Sequence, residues 1–113
     1  MASLPAVILR APDLFAGMNK LEASFAMSLE AKKRAGKIVL WRYERLTLKL
    51  ADDTRYTPDF YVLELDGSVS LVEVKGFMRD DALVKLKVAA SQFPEFRFYL
   101  YQKGVTKPIK GIA

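Results

Sequence analysis

Residues 57–76, TPDFYVLELDGSVSLVEVKG, constrain the fold more than any other stretch of the chain. Two runs rich in β-branched and aromatic residues flank Asp66-Gly67, which is a hairpin signature. Strands joined that tightly are antiparallel neighbours, yet Asp59 stands at the entrance of the first and Glu73 and Lys75 lie inside the second. Loop length decides whether these charges meet. If Asp66 and Gly67 alone form the loop, Leu65 pairs with Ser68, and Asp59 and Glu73 fall on opposite faces. If Leu65, Asp66 and Gly67 form it, with Gly67 left-handed in a type I turn plus bulge, Glu64 pairs with Ser68. Asp59 then lies opposite Glu73 with β-carbons about 5 Å apart, and Lys75 shares that face. Both loops suit Asp-Gly. Two carboxylates side by side in a sheet repel unless a cation sits between them, and an oxygen-seeking divalent ion such as Mg²⁺ is the natural occupant.

The rest of the chain supplies elements to pack on that hairpin. NKLEASFAMSLEAKKRAGK, from Asn19, carries Leu21, Phe25 and Leu29 at helical spacing, with Asn19 as a capping residue and Gly36 as the stop. KIVLWRYERLTLKL, TRYTPDFYVLEL and SVSLVEVKG read as three strands separated by Asp52-Asp53 and Asp66-Gly67. DDALVKLKVAASQF is a second helix with Leu83, Leu86, Ala90 and Phe93 on one face, acidic residues at its start and Pro94 closing it. FRFYLYQK then gives a last strand. The expected order is α-β-β-β-α-β in one domain of 113 residues, with 1–17 as an N-terminal arm, 18–103 as the core and 104–113 as a tail. The fold class is α/β (α+β), a mixed central sheet flanked by helices.

Composition narrows the chemistry. The chain has no cysteine and no histidine, which removes disulfide scaffolds, thiol catalysis, histidine bases and the usual zinc sites. Carboxylates and lysine remain. A net charge of +5 favours polyanionic partners such as nucleic acid. No run of about eighteen apolar residues is present, and Pro5, Arg10 and Pro12 interrupt the opening segment where a secretory signal needs another order. The expectation is a soluble, cytoplasmic protein without a membrane partner.

The pattern Pro58-Asp59, then Glu73-Val74-Lys75 after a hairpin, preceded by a helix bearing Glu22, resembles the PD-(D/E)XK nuclease superfamily. The resemblance spans residues 18–103. RYTPDFYV and LVEVKGFMRDDALVKLKVAA look in addition like small phage-encoded nucleases of the endonuclease I group, which resolve branched DNA such as Holliday junctions. The likeness implies a restriction-endonuclease-like αβββαβ core and Mg²⁺- or Mn²⁺-dependent hydrolysis of DNA phosphodiester bonds. By the same likeness Asp59, Glu73 and the Val74 carbonyl bind the metal, Lys75 orients or activates the attacking water, and Glu22 completes the metal site or helps hold a second metal. If the chain is phage-encoded, its compartment is the bacterial host cytoplasm. The alternatives are a nuclease for linear or mismatched duplex, and a non-catalytic DNA-binding or partner-binding protein on the same fold.

Several of these residues have a plainer role open to them. Asn19-x-x-Glu22 has the spacing of a capping box, although helical spacing also puts Glu22 beside inward-facing Phe25 and Ala26. Glu73 and Lys75 could form an outward polar stripe off the deepest core, and Asp59 could simply begin a strand. Lys85, Lys87, Arg79 and Arg55 are candidate DNA contacts, while Asp81 and Lys85 also have the spacing of a surface ion pair. Lys32-Lys33-Arg34 suits a helix C-terminus, and Trp41 and the FRFYLY aromatics suit a core. The apolar segments Leu4–Leu9 and Val105–Ala113 lie outside the expected core, which suggests a homodimer built through the N-terminal arm.

Overall fold

The structure, a computed structural model, describes residues 13–111. Leu4–Leu9, on which the expected dimer contact rests, lie outside the described residues, as does Ile112. The elements are α1 (Lys20–Arg34), β1 (Ile38–Tyr43), β2 (Leu48–Ala51), β3 (Thr54–Tyr56), β4 (Phe60–Glu64), β5 (Val69–Val74), α2 (Asp80–Gln92), β6 (Phe96–Gln102) and β7 (Val105–Ile109). The fold is α+β, with a sheet of mixed polarity and a helix on each face.

Both ends of α1 are closed by local chemistry. Glu22 N–H donates to Asn19 Oδ1 at 2.8 Å and Asn19 N–H donates to Glu22 Oε1 at 2.9 Å, a complete capping box. At the other end Gly36 N–H donates to Lys33 O at 3.0 Å and Lys37 N–H to Lys32 O at 2.9 Å, the Schellman pattern.

The main sheet runs in the order β1-β4-β5-β6-β7. Three strands, β1, β4 and β5, form an antiparallel meander; β6 joins β5 in parallel through α2, and β7 folds back antiparallel on β6. Phe25, Ala26 and Leu29 of α1 bury Trp41, Phe60, Val62, Val72 and Val74 on one face. Leu86 and Ala89 of α2, with Leu48 and Tyr56 from β2 and β3, bury Leu71, Phe98 and Leu100 on the other. Trp41 and Phe98 are thus core residues, and the half-buried Phe96, Tyr99 and Tyr101 pack against the two cores.

Two of the expected strands are each broken in two. After Tyr43 the backbone turns through Glu44 at φ 48°, and the chain leaves the sheet to form the separate β2–β3 hairpin. It returns at Pro58-Asp59. A hydrogen bond of 2.7 Å between the Thr47 and Thr57 hydroxyls closes the base of this excursion, and Glu44 N–H donates to Asp59 O at 2.8 Å. The expected tail, residues 104–113, is corrected as well: Val105–Ile109 is β7, and Ile109 packs on the α2-side core. Pro108 is compatible with this strand because β7 is the sheet edge, where a missing N–H costs no ladder bond on the open side.

Candidate functional site

The hairpin register places the site. Phe60 pairs with Val72 and Leu63 with Val69, Glu64 N–H donates to Ser68 O at 2.9 Å, and Gly67 N–H donates to Glu64 O at 3.0 Å. The loop is therefore Leu65-Asp66-Gly67, with Gly67 at φ 85°, where a side chain would be strained. Asp66 Oδ1 holds the turn by accepting from Ser68 N–H at 2.9 Å and Ser68 Oγ at 2.6 Å. Of the two possible loops this is the one that sets Asp59 opposite Glu73, one residue beyond the ladder.

At that point the ladder gives way to side-chain chemistry. Continuing the register sets Pro58 opposite Val74, and proline has no N–H for the Val74 carbonyl. Val74 N–H donates instead to Asp59 Oδ2 at 2.8 Å. Within a strand one residue's N–H and C=O point to the same side, so the Val74 carbonyl faces the same side as Asp59. Lys75 N–H donates to Tyr101 O at 3.1 Å and keeps this end of β5 tied to β6.

Both carboxylates are buried, Asp59 at 9% and Glu73 at 7% exposure. Glu73 is thus inside the α2-side core rather than on an outward stripe, because the β2–β3 hairpin covers that face of the sheet. Tyr56 donates its hydroxyl to Glu73 Oε1 at 3.0 Å, and Lys75 Nζ stands 3.5 Å from Glu73 Oε2 while remaining 42% exposed. Burial and the charge of Glu73 push the Asp59 carboxyl up to about 8; the Val74 N–H and Lys75 oppose this, and Glu22 adds to it. Burial and the neighbouring Glu73 charge push the Tyr56 phenol up as well, so it stays a donor.

Glu22 sits at the edge of this group. Its Oε1 accepts from Asn19 N–H and from the Tyr43 hydroxyl at 3.3 Å, so its cap role is realised, and its charge still reaches Asp59. Burial and the Glu22 charge raise Tyr43. Among the described residues no three acidic side chains converge as a ready-made metal cluster. Asp59, Glu73, Val74 and Lys75 are brought together; Glu22 is adjacent.

The expected DNA contacts are more dispersed. Arg79 occupies the N-cap position of α2 without a side-chain cap bond and pairs with Asp81 at 3.6 Å, so the expected Asp81–Lys85 pair is replaced by a shorter-range one. Lys85 and Lys87 flank the buried Leu86, and at helical spacing they project from opposite sides of α2. Arg55 is exposed on β3. Tyr56 and Tyr43 are the residues whose hydrogen bonds to Glu73 and Glu22 the sequence did not reveal. Their nearest signal is position, since Tyr56 precedes Asp59 by three residues across Pro58. A cavity of about 190 Å³ under α1, lined by Phe25, Leu29, Val62, Val72 and Tyr99 among others, contains none of these polar groups.

The chain belongs to a family of proteins of unknown function, DUF1064, whose profile matches residues 19–107, from the cap of α1 into β7. No curated protein and no solved structure matches it significantly. Among the described residues no helix is long and apolar enough to cross a membrane.

Proposed function

We propose that this chain is a Mg²⁺- or Mn²⁺-dependent endonuclease that hydrolyses DNA phosphodiester bonds, with branched DNA as its preferred substrate. The observation that carries the reading is the placement of Asp59 opposite Glu73 and beside Lys75, where burial and the Glu73 charge raise the Asp59 carboxyl to about 8. Setting aside the β2–β3 hairpin and the edge strand β7, the order α1-β1-β4-β5-α2-β6 also follows the αβββαβ order of the PD-(D/E)XK superfamily that the motif resembles. The preference for branched DNA rests on the likeness to endonuclease I-type nucleases.

The residues fit a hard divalent cation. Two carboxylates, the Glu73 charge opposing ionisation of Asp59, and a Val74 carbonyl whose register partner lacks an N–H make an oxygen donor set of the size Mg²⁺ takes, with water filling the rest. Asp59, Glu73 and the Val74 carbonyl would hold the ion. When bound, it supplies a water of lowered pKa and positive charge at the phosphate. The protein's own groups do the positioning. Val74 N–H fixes Asp59 Oδ2 and leaves Oδ1 for the ligand side, Tyr56 fixes the Glu73 rotamer, and the half-exposed Lys75 ammonium faces outward, where it can stabilise charge that develops on a phosphate. The net charge of +5 supports attraction of the duplex.

One observation favours a second reading. Both Glu73 oxygens already have partners, Tyr56 and Lys75, so the acidic pair could serve as a buried polar network in a non-catalytic DNA-binding or partner-binding protein. Labelled linear, nicked and four-way-junction DNA, incubated with Mg²⁺ or with chelator, separates the two. Cleavage that needs the metal and disappears in Asp59→Asn is expected; an intact protein that binds these DNAs and cuts none of them supports the second reading.

A further inference from the structure

Beyond Lys75 the chain leaves β5 through Gly76 and turns into α2, and this connection forms one wall of an open groove of about 590 Å³. The opposite wall is the tight β6–β7 hairpin, turned at Lys103-Gly104 with Gln102 paired to Val105. The floor is apolar, made by Met78, Leu83 and Leu100, and Phe77 stands over it with 80% of its surface exposed. Lys103 and Lys107 line the hairpin wall, and among the described residues neither has a salt-bridge partner. On the far side of Phe77 the start of α2 presents Asp80 and Asp81, the latter paired with Arg79. The groove is therefore cationic on one wall only.

Phe77 extends the apolar floor of Met78, Leu83 and Leu100 into one contiguous apolar patch, and the surroundings specify what would cover it. An all-apolar peptide would leave Lys103 and Lys107 without partners. A duplex presents phosphates but keeps its base faces stacked, so it would match the lysines and not the floor. An unpaired nucleotide matches both, with its base against Phe77 and the apolar floor and its phosphates along the lysine wall, away from Asp80 and Asp81. Phe77 is two residues from Lys75, and Leu100 of the floor is the register partner of Glu73 on β6, so the groove lies beside the strand that carries the carboxylate.

We propose that this groove binds a single-stranded segment of DNA, with Phe77 as the stacking platform and Lys103 and Lys107 as phosphate contacts. Placing the groove beside the cutting site rests on the nuclease reading above, and it assigns that reading a substrate class: DNA with unpaired nucleotides next to the scissile phosphate.

The test is binding of a fluorescent oligothymidylate and of a duplex of equal length, in chelator, by the full chain and by Phe77→Ala and Lys103→Gln/Lys107→Gln. The expected result is a loss of about 10-fold or more in single-strand affinity for Phe77→Ala, with duplex affinity nearly unchanged. For the double lysine variant the single-strand salt slope should flatten by about 1.4. Because Phe77 is exposed, thermal melts should show the variant folded as wild type. Single-strand affinity unaltered in a folded Phe77→Ala overturns the proposal, and so does wild-type dimerisation that Phe77→Ala abolishes while oligonucleotide binding is unchanged. Cleavage by the wild type in Mg²⁺ is scored separately. Phe77-dependent binding without cleavage sinks only the nuclease reading, whereas cleavage with Phe77-independent binding sinks only the groove.

Discussion

Tyr56 and Glu73 meet across seventeen positions of chain, the phenol donating to Glu73 Oε1 at 3.0 Å with both residues under 10% exposed. The contact joins the β2–β3 excursion to the central strand of the sheet. It fixes the carboxylate from above while β5 fixes it from below, so an otherwise irregular insertion serves to cover and orient the acidic pair.

Tyr56→Phe removes that donor and leaves a buried carboxylate oxygen without a partner. A hydrogen bond to a charged group contributes about 1.5–3 kcal/mol, and a loss in that range is expected from urea melts near neutral pH. Cleavage should slow through poorer orientation of Glu73. An unchanged midpoint in urea would mean that water replaces the hydroxyl without cost.

Asp59 gives the metal-free protein a particular pH dependence. Its folded value of about 8 lies above the ordinary carboxyl value of 3.8, so the folded state binds this proton more tightly than the unfolded state. The stabilisation is complete below about 4 and is lost as pH rises towards 8. Melting temperature in chelator should therefore fall between pH 5 and 8 through this group. Asp59→Asn should flatten that part of the profile, and Mg²⁺ should raise the melting temperature more at pH 8 than at pH 5, because at the lower pH it must displace a proton. A Mg²⁺ effect that persists undiminished in Asp59→Asn would place the ion elsewhere.

The parts that local sequence could and could not reveal separate on physical grounds. Asn19, Glu22 and Gly36 act within a few residues of themselves, and the cap and stop of α1 follow from them directly. The hairpin register did not, since Asp-Gly suits both loops. Alternation could not break the tie, because both faces of β5 are buried and Leu71, Val72 and Val74 are apolar on either side. The deciding bonds run from Glu64 N–H to Ser68 O and from Gly67 N–H to Glu64 O, with Ser68 donating to Asp66 Oδ1 to hold the turn. Glu44 at positive φ and the missing N–H of Pro58 split what read as two continuous strands, and β7 lies in the segment read as a tail, whose Gly104 and Pro108 a hairpin turn and an edge strand accommodate. Tyr56 was invisible as a partner of Glu73 because its position depends on that split.

Glu22→Gln distinguishes the cap from the charge. Glutamine can still accept from Asn19 N–H, so helix stability should hold within about 0.5 kcal/mol, whereas Asn19→Ala should cost about 1 kcal/mol. The lost charge removes one of the influences raising Asp59, whose titration by carboxyl NMR should move down. An unmoved Asp59 titration would show that Glu22 is a cap alone.

Lys75→Ala tests the remaining member of the group. Lys75 is the cation beside Glu73, and its charge also lowers Asp59. Without it the carboxylate pair is more strongly self-repelling, so in chelator at pH 8 the variant should be less stable than wild type, while its affinity for Mg²⁺ should hold or increase. If the ammonium stabilises charge on the phosphate during cleavage, the single-turnover rate at saturating Mg²⁺ should nevertheless fall by about 10²–10³, the usual cost of removing one such group. Melting temperature against Mg²⁺ concentration gives the first quantity and product formation gives the second. A rate that recovers fully once Mg²⁺ is raised would mean that Lys75 only assists metal binding, and a weaker Mg²⁺ midpoint in the variant would contradict the electrostatic order drawn here.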